Sequence, residues 1–417
     1  MKILVIGSGG REHAICLKLR QSPLVTQLFC APGNPGISGV ATIVPHAATE
    51  LQALAAFAKA NRVDLTVIGP EQPLALGIAD LFSEQGLAVV GPRKAAAAME
   101  VSKHFAKEIM AAAGVPTARY QVFSDQERSR EFLKANPGRW VLKADGLAAG
   151  KGVVVCESQE QVLAALPEVW SVPDTNKVVI EEFLEGVEAS FIVASNGTAA
   201  VPLLAAHDYK RIGEGDKGPN TGGMGTVCPT PRLTPKQQEW ALTNVAMPVL
   251  RVLASRGTPF CGFLFAGLMI GVDGAIKVLE FNARLGDPET QSILALLESD
   301  LVELLLEMAD PTRGAFTALR WRAGAAVCVV NAADGYPAAP QLGDPIEGLE
   351  FAASLPGVQV LHAGTKVDER RRIVTSGGRV LNVIGRGESR EEARRTAFRA
   401  ADMIQFRGKQ MRRDIGA

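Results

Sequence analysis

The sequence has few of the residues that build metal centres and covalent active sites. Its six cysteines are scattered without a C-x-x-C pair, and its five histidines form no cluster. Neither a zinc site nor a Cys/His nucleophile is indicated, and free thiols are expected. The chain also lacks an apolar run long enough to span a membrane, an internal repeat and a low-complexity tract.

Neither sign of charge dominates. Lys plus Arg and Asp plus Glu each number 44 in 417 residues, so the formal net charge is zero. Without a basic excess or a polybasic run, we expect neither nucleic acid nor a membrane surface as a partner. The opening strand, residues 2–6, is too short for a signal-peptide core, so a cytoplasmic protein is expected. The length predicts two to four domains, each with its own core.

The most informative stretch is residues 276–291, where an apolar strand ends in charged residues. A Val-Asp-Gly turn at 272–274 is expected to pair this strand with the apolar strand before it. Glu280 and Asn282 lie two residues apart, so they share one face of the strand, and Arg284 follows. Such a group suits Mg²⁺ whose coordination is completed by phosphate oxygens. The alternative is a capped strand end with a surface ion pair.

The first hundred residues alternate strands with helices, which predicts an open parallel sheet. The glycines at 7–10 invite a dinucleotide-binding interpretation, but Glu12 stands at the third glycine position and the second strand ends without a ribose-binding acid. Arg11 and Asn34 instead belong to loops at the carboxyl ends of strands, where they could serve a phosphorylated sugar. The Gly-Pro-Glu segment ending at Glu71 has a similar position, or is only a turn.

A glycine-rich hairpin is predicted between Trp140 and Cys156. Its glycines resemble a phosphate-binding P-loop, but the spacing is one residue short, Gly152 replaces the Ser or Thr, and a strand follows instead of a helix. Together with Lys143 and Lys151, the hairpin is better explained as a flap over phosphates. Because Lys143 stands in an apolar strand, where an unpaired ammonium is costly, we expect an anionic ligand beside it.

Two later segments carry further candidates. A strand ending at Glu181-Glu-Phe-Leu184 offers backbone groups to an adenine edge, and Glu188 offers a carboxylate to a ribose. Asp208 and Lys210 then lead into a loop that has six glycines within residues 213–225. Interleaved Asp, Lys, Asn and Thr favour an ordered loop that binds an anion or substrate over a flexible linker.

The remaining segments predict ordinary elements. Single helices are expected over 73–85 and 292–308, and a smaller β-rich unit begins after Trp321. Within that unit, arginines 370, 371, 372 and 379 are expected in a solvated hairpin.

In this order, the features resemble the ATP-grasp superfamily and, within it, the phosphoribosylamine–glycine ligase family over nearly the whole chain. The strings that carry the resemblance are Gly7-Ser-Gly-Gly-Arg-Glu-His13, Asp64-Leu-Thr-Val-Ile-Gly-Pro-Glu71, Lys143-Ala-Asp-Gly-Leu-Ala-Ala-Gly-Lys-Gly152, Gly218-Pro-Asn-Thr-Gly-Gly-Met-Gly225 and Arg284-Leu-Gly-Asp-Pro-Glu-Thr-Gln291. Tyr209, Lys217, Ala283 and Leu285 depart from the residues usual in that family, while the charged positions are intact.

The resemblance implies an ATP-grasp fold with an N-terminal open parallel α/β domain and a small C-terminal β-rich domain. The implied boundaries are residues 1–101, 102–322 and 323–417, with a flap subdomain over about 118–187. The implied reaction joins glycine to 5-phosphoribosylamine, using ATP and passing through glycyl phosphate, in de novo purine biosynthesis. Positioning and charge neutralisation suffice for this chemistry, without a protein nucleophile. A monomer is expected.

The resemblance also implies a role for each candidate residue. Glu280 and Asn282 would hold Mg²⁺, with Mn²⁺ as the alternative ion. ATP would contact Lys103, Lys143, Gly150, Lys151, Gly152, Glu181, Glu182, Phe183, Leu184 and Glu188. Arg284, with Lys143 and Lys151, would act on the developing acyl phosphate. Phosphoribosylamine would contact Gly10, Arg11, Asn34, Glu71, Asp287, Pro288 and Glu289, and glycine or the amine would contact Asp208, Lys210, Asn220, Thr221, Gly222 and Gly223.

Three rival functions remain open at this point. The first is an ATP-grasp ligase or carboxylase with another acceptor, such as one that uses formate or bicarbonate. The second is a nicotinamide-dependent oxidoreductase, although Glu12 and the missing ribose acid oppose it. The third is a nucleotide-binding regulatory protein without turnover.

Overall fold

The first hundred residues form the predicted parallel sheet. The computed structural model describes residues 1–147, 152–173 and 175–417. The first five strands are β1 (Lys2–Gly7), β2 (Gln27–Pro32), β3 (Thr42–Ile43), β4 (Leu65–Ile68) and β5 (Val89–Val90). All of their pairings are parallel, in the spatial order β3-β2-β1-β4-β5. Residues 3–6 are completely buried because the two faces of the sheet pack into separate apolar cores.

The helices of this unit are α1 (Gly10–Arg20), α2 (Leu51–Asn61), α3 (Glu71–Leu76), α4 (Ile78–Glu84) and α5 (Lys94–Val101). The prediction of one helix over 73–85 is wrong, because the segment is divided into α3 and α4. Gly77 lies between them with φ of 92°. This left-handed conformation, which glycine adopts without steric cost, ends the first helix.

A second, antiparallel sheet follows. Its elements and flanking helices are α6 (Lys103–Ala113), β6 (Tyr120–Phe123), α7 (Gln126–Ala135), β7 (Trp140–Ala144), β8 (Val153–Cys156), α8 (Gln159–Trp170) and β9 (Val178–Glu182). The strand order is β6-β9-β7-β8, and α7 and α8 pack against the sheet around a separate small core. The predicted hairpin is therefore confirmed in its two strands, β7 and β8. Residues 148–151 of its turn lie outside the described part of the chain.

The central strands are β10 (Val187–Asn196), β11 (Ala200–Pro202), β12 (His207–Asp208), β13 (Arg211–Gly213), β14 (Lys217–Asn220), β15 (Gly225–Cys228), β16 (Cys261–Ile270) and β17 (Ile276–Asn282). Four of them form a sheet in the order β11-β10-β16-β17, and β13 pairs with β14. The predicted pairing of β16 with β17 is confirmed. Between them, Gly267 pairs with Glu280 and Leu268 with Val278, so Leu279 is an extra residue in a β-bulge.

The helices of the central part are α9 (Pro235–Ala241), α10 (Met247–Ser255), α11 (Glu289–Leu296) and α12 (Leu301–Ala309), and a π-helical turn at 242–246 joins the first two. The single helix predicted over 292–308 is wrong in its continuity. Asp300 interrupts it by capping α12, with its Oδ1 accepting a hydrogen bond from the Val302 amide at 2.8 Å.

The last elements are β18 (Ala325–Ala332), α13 (Leu349–Ala353), β19 (Val358–His362), β20 (Thr365–Val367), β21 (Ile373–Thr375), β22 (Arg379–Gly387) and α14 (Arg390–Met403). The principal sheet has the order β12-β15-β18-β22-β19 and is antiparallel. Strands from both sides of the predicted boundary at 322/323 therefore share one sheet. Among the described residues, no helix has both the length and the apolar character needed to cross a membrane.

Candidate active site

A cleft of about 500 Å³ lies where these units meet. This volume is within the range of about 300–1,000 Å³ that is usual for small-molecule sites. The predicted residues that line it are Arg11, Glu71, Lys103, Gly152, Glu181, Asp208, Lys210, Asn220, Thr221, Gly222, Glu280, Asn282, Arg284, Asp287 and Glu289. The structure thus brings the predicted oxygen pair of β17 into the same cleft as Lys103 and the edge of the glycine-rich hairpin.

The other predicted residues are not in the described lining of the cleft. They are Gly10, Asn34, Lys143, Glu182, Phe183, Leu184, Glu188, Gly223 and Pro288, whereas Gly150 and Lys151 lie outside the described residues. The amide of Asn34 is fully used inside the protein: its Nδ2 donates to the carbonyls of Ser8 and His362, both at 2.8 Å, and its Oδ1 accepts from Ile37. Asn34 therefore joins two units of the fold, a contact that no local motif indicates.

Glu181 is the centre of a buried ionic group on one side of the cleft. Its two carboxylate oxygens each lie 3.0 Å from a lysine nitrogen, that of Lys143 and that of Lys107. Lys143 also donates to the carbonyl of Leu279 at 2.9 Å. The expectation that Lys143 needs an external anion is therefore corrected, because Glu181 supplies the negative charge from within the protein.

Lys107 is a cleft residue that the sequence analysis missed. It donates to Thr117 at 2.7 Å as well as pairing with Glu181, and it is almost completely buried. Burial lowers the pKa of Lys107 to about 8, although Glu181 acts in the opposite direction. Its position four residues after Lys103 places both lysines on one face of α6, which is the signal that could have identified it.

Lys103 lies at the start of α6, beside the hairpin. Its Nζ donates to the carbonyl of Gly146 at 2.5 Å. Asp145 accepts from the Ser102 hydroxyl at 3.1 Å and from the His104 amide at 3.2 Å, which ties the base of the hairpin to the helix. Burial lowers the pKa of Lys103, while Glu280 and Asp145 oppose this shift.

Only the first residue of the predicted adenine-binding segment lines the described cleft. Glu182 instead pairs with Arg119 at 2.6 Å and Lys277 at 3.0 Å. Burial would raise the pKa of Glu182, but these hydrogen bonds outweigh it and lower the pKa to about 2. The ring of Phe183 lies under the guanidinium of Arg139, 4.7 Å from its centroid.

Glu280 and Asn282 both line the cleft, where they present the two oxygen ligands that the sequence predicts for a metal ion. Burial would raise the pKa of Glu280, but the charges of Lys210, Lys143 and Lys103 outweigh it and lower the pKa. Glu280 is therefore held as a carboxylate. In the described part of the chain, no cluster of three or more His, Cys, Asp or Glu side chains could hold a metal ion by itself. One carboxylate and one amide fit a divalent ion that takes its other ligands from phosphates and water.

Arg284 is fixed by two acids on the other side of the cleft. Its NH2 lies 2.7 Å from Glu100 Oε1, and its Nε lies 3.3 Å from Glu71 Oε2. Burial alone would lower the pKa of Arg284, but these carboxylates raise it. The sequence analysis missed Glu100, which also accepts a hydrogen bond from the Ala283 amide at 2.7 Å. Burial raises the pKa of Glu100.

Asp208 and Lys210 line the cleft together with Glu289, the first residue of α11. Lys210 pairs with Glu188 at 2.5 Å, so the carboxylate predicted for a ribose is occupied by a lysine. Burial raises the pKa of Asp208 to about 7; Lys210 opposes this shift, and Glu289 adds to it. Glu289 is itself buried and accepts from the Ser190 hydroxyl at 2.8 Å.

Arg379 corrects the prediction that arginines 370, 371, 372 and 379 all lie in a solvated hairpin. The first three are exposed near the turn between β20 and β21, as predicted, whereas Arg379 begins β22 and lines the cleft. It donates to the carbonyls of Gly222 at 2.5 Å and Asp287 at 2.7 Å, and lies 3.3 Å from Asp287 Oδ2. Sequence spacing could not show this contact, because these partners lie far away along the chain.

This fold, with a flap hairpin, a lysine-bearing helix and an oxygen pair around one cleft, defines an ATP-grasp enzyme. Three family models match successive parts of the chain: Phosphoribosylglycinamide synthetase, N domain, over residues 1–100, its ATP-grasp (A) domain over 101–290 and its C domain over 326–417. The chain therefore belongs to the phosphoribosylglycinamide synthetase family, whose members are also called phosphoribosylamine–glycine ligases.

Individual relatives agree with this assignment along their full lengths. The chain is 45% identical to phosphoribosylamine–glycine ligase of Mesorhizobium japonicum and 44% identical to that of Yersinia pestis, covering 100% of this chain and 98% of each relative. A crystal structure of phosphoribosylamine–glycine ligase from Thermotoga maritima is 36% identical, with both chains fully covered and a TM-score of 0.85.

More distant structures show the fold alone. The biotin carboxylase domain of 2-oxoglutarate carboxylase from Hydrogenobacter thermophilus, a structure in complex with MgADP and bicarbonate, is 19% identical with a TM-score of 0.74. The alignment covers 98% of this chain and 91% of that domain. The ATP-grasp assignment itself rests on the family model that matches residues 101–290.

Proposed function

We propose that the cleft joins glycine to 5-phosphoribosylamine, giving glycinamide ribonucleotide, ADP and phosphate in de novo purine biosynthesis. Membership of the phosphoribosylglycinamide synthetase family supports this reaction. The structural observation that supports it is that Glu280, Asn282, Lys103 and Arg284 line one cleft among the described residues. A ligase that activates a carboxylate with ATP needs both an anion-binding site for phosphates and a separate site for its acceptor.

In the first step, a carboxylate oxygen of glycine forms a bond to the γ-phosphorus of ATP, and the bond between that phosphorus and the leaving ADP oxygen breaks. Lys103 and Lys143 would neutralise the phosphates, and Arg284 would stabilise charge on the acyl phosphate. Lys151, outside the described residues, keeps its predicted role in the flap. The closed flap would exclude water, which otherwise hydrolyses glycyl phosphate.

In the second step, the amine of phosphoribosylamine attacks the acyl carbon, and phosphate leaves. The attacking amine must lose a proton. Asp208, whose pKa is raised to about 7, is suited to accept it, and Lys210 lies beside it. Arg11, Glu71, Asp287 and Glu289 would bind the sugar phosphate part of the acceptor, and the loop residues Asn220, Thr221 and Gly222 would bind glycine or the attacking amine.

Enzymes with this fold use ATP and a divalent metal ion. We propose Mg²⁺, with Mn²⁺ as a substitute, because both ions accept carboxylate and amide oxygen ligands. Glu280 and Asn282 would hold the ion, which when bound neutralises phosphate charge. The ionised state of Glu280, maintained by the neighbouring lysines, fits this role.

The nearest rival is an ATP-grasp ligase or carboxylase that uses a different carboxylate, such as formate or bicarbonate. A steady-state assay of ADP release separates these functions. With phosphoribosylamine and ATP present, we expect release only when glycine is added. Release that is independent of glycine, or that formate or bicarbonate supports equally well, would contradict the proposal. The cytoplasmic location and the monomeric state stay predictions, and light scattering of the purified protein tests the latter.

A further inference from the structure

The glycine-rich segment at 208–225, here called the substrate loop, is held around the β13–β14 hairpin by residues near position 412. The guanidinium of Arg412 is buried and donates to the Arg211 carbonyl at 3.0 Å and to Asp216 Oδ1 at 2.8 Å. Asp414 orients this guanidinium through two hydrogen bonds of 2.8 and 2.6 Å, and also accepts from the Gly215 amide at 2.9 Å. One arginine and one aspartate thus fix the first strand and the turn of the β13–β14 hairpin.

Tyr209, within the substrate loop, also contacts this part of the chain. The guanidinium of Arg412 lies 4.9 Å from the centroid of its ring, and the Tyr209 hydroxyl accepts a hydrogen bond from the Gly416 amide at 2.9 Å. Because Asp208 and Lys210 flank Tyr209 and line the cleft, a shift of its ring would move both of them.

Gly222, where the substrate loop lines the cleft, is held by the same part of the chain. The Gly222 amide donates to the Tyr336 hydroxyl at 3.0 Å, and the Gly222 carbonyl accepts from Arg379. A Cβ atom at position 222 would lie 3.0 Å from the Arg379 Cζ, so the contact is close. Both polar groups of this cleft-lining backbone unit are therefore bonded to residues that follow position 330.

We infer that the residues after position 322 position the substrate loop for the amino substrates, with Arg412 as the principal positioning residue and Arg379 and Tyr336 as its counterparts at Gly222. This inference rests on the proposed function, because it assigns the loop to glycine and phosphoribosylamine. Arg412 itself does not line the described cleft. Its effect on catalysis therefore passes through the loop, by charge-assisted hydrogen bonds that determine where Asp208, Lys210 and Gly222 lie.

The kinetic test is Arg412→Gln, with Arg407→Gln as the matched control. Arg407 belongs to the same part of the fold, but its exposed side chain pairs with Asp344, away from the loop. In Arg412→Gln, we expect the KM for glycine or phosphoribosylamine to rise on the order of tenfold, since small displacements of positioning groups are costly. The KM for ATP should stay within about twofold. The control should behave as the unmodified protein.

Unchanged KM values for both amino substrates would overturn the inference, and so would an equal rise in all three KM values. If Arg412→Gln fails to fold, Tyr209→Phe removes a single hydroxyl and tests a second contact between the substrate loop and the same part of the chain, the hydrogen bond from the Gly416 amide. In Tyr209→Phe, the backbone amides at 211–222 should exchange with deuterium faster than in the unmodified protein. The exchange rates of the amides of β7 and β9 should not change. Equal exchange at 211–222 would also overturn the inference.

The two proposals fail in distinguishable ways. If the unmodified protein releases no ADP in response to glycine, the proposed function is wrong, whereas the deuterium exchange experiment still tests the contact. If the unmodified protein is active and Arg412→Gln retains its KM values, the positioning inference is wrong and the proposed function stands.

Discussion

The two sides of the cleft are built in different ways. The nucleotide side, named for its proposed ligand, consists of Lys103, Lys107, Lys143 and Glu181, all from the segment 102–182, and Glu181 pairs with two of its three lysines. The acceptor side, named in the same way, joins Glu71 to Arg284 and Asp287 to Arg379 across separate parts of the chain, and Glu188 to Lys210. The comparison teaches that one side is built within a single segment, whereas the other exists only when several parts of the fold are assembled.

Glu280 is close to charged groups of both sides, namely Lys103, Lys143, Lys210 and Arg284. Its substitution should therefore lower activity the most. Glu280→Gln removes the carboxylate charge that a divalent ion needs, and we expect kcat to fall by about 10³-fold or more, with the fold intact. Measurement of ADP release across a Mg²⁺ and Mn²⁺ titration checks this. Asp273→Asn, in the exposed turn of the same hairpin, is the control and should retain activity. Unchanged turnover in Glu280→Gln would show that the two sides share no metal site.

Arg284→Gln tests the acceptor side. It leaves the buried Glu100 without its partner, so we expect kcat/KM to fall on the order of 100-fold and the free energy of unfolding to fall by about 3 kcal/mol. Adding Glu100→Gln removes the uncompensated charge. The double variant should recover much of the stability, measured by chemical denaturation, but not the activity. Recovery of both would mean that Arg284 is structural only.

The pH dependence of the KM for ATP tests the role of Lys107 on the nucleotide side. Its pKa is about 8 in the folded protein against an ordinary value of 10.5, so the ammonium that pairs with Glu181 loses its proton above pH 8. We expect the KM for ATP to rise about threefold between pH 7 and 9.5 as the pair weakens. Lys107→Met should remove this pH dependence. An identical pH profile in the variant would exclude Lys107 as its cause.

The same pKa shift predicts an opposite trend in stability. Between pH 8 and 10.5 the unfolded chain binds more protons at Lys107 than the folded chain does. The contribution of Lys107 to the free energy of unfolding therefore increases with pH in this window and is smallest below pH 8. Comparing the denaturation of the unmodified protein with that of Lys107→Met across this pH range isolates the contribution of Lys107 to the free energy of unfolding. A difference that decreases with rising pH would contradict the assigned shift.

The smallest effect is expected from Arg370→Gln, in the exposed part of the segment that ends at Arg379. Exposed substitutions of this kind change stability by less than about 0.5 kcal/mol, and the KM values should not change. Arg379→Gln, by contrast, should raise the KM for phosphoribosylamine several-fold because Asp287 and Gly222 lose their donor. Equal effects of the two substitutions would remove Arg379 from the acceptor side.

The sequence predicts most of what is local. Parallel strands, the flap hairpin and the β16–β17 hairpin follow from alternation and turn residues, and the oxygen pair follows from its spacing on a strand. Prediction from the sequence failed where one residue interrupts a helix that the periodic pattern would continue, as Gly77 and Asp300 do. It also failed for Glu100 and Arg379, because a charged side chain on a helix or strand gives no local sign of the distant partner that makes burial tolerable. Lys107 was missed although its spacing from Lys103 on α6 could have indicated it.

The most direct test of the account follows the oxygen atoms of glycine. If the carboxylate attacks the γ-phosphorus and phosphate then leaves the acyl carbon, one carboxylate oxygen must end in the released phosphate. Turnover with glycine labelled with ¹⁸O in its carboxylate, analysed by mass spectrometry of the phosphate, should show one labelled oxygen per phosphate. Phosphate without the label, formed at the same rate as glycinamide ribonucleotide, would contradict a cleft that activates glycine through an acyl phosphate.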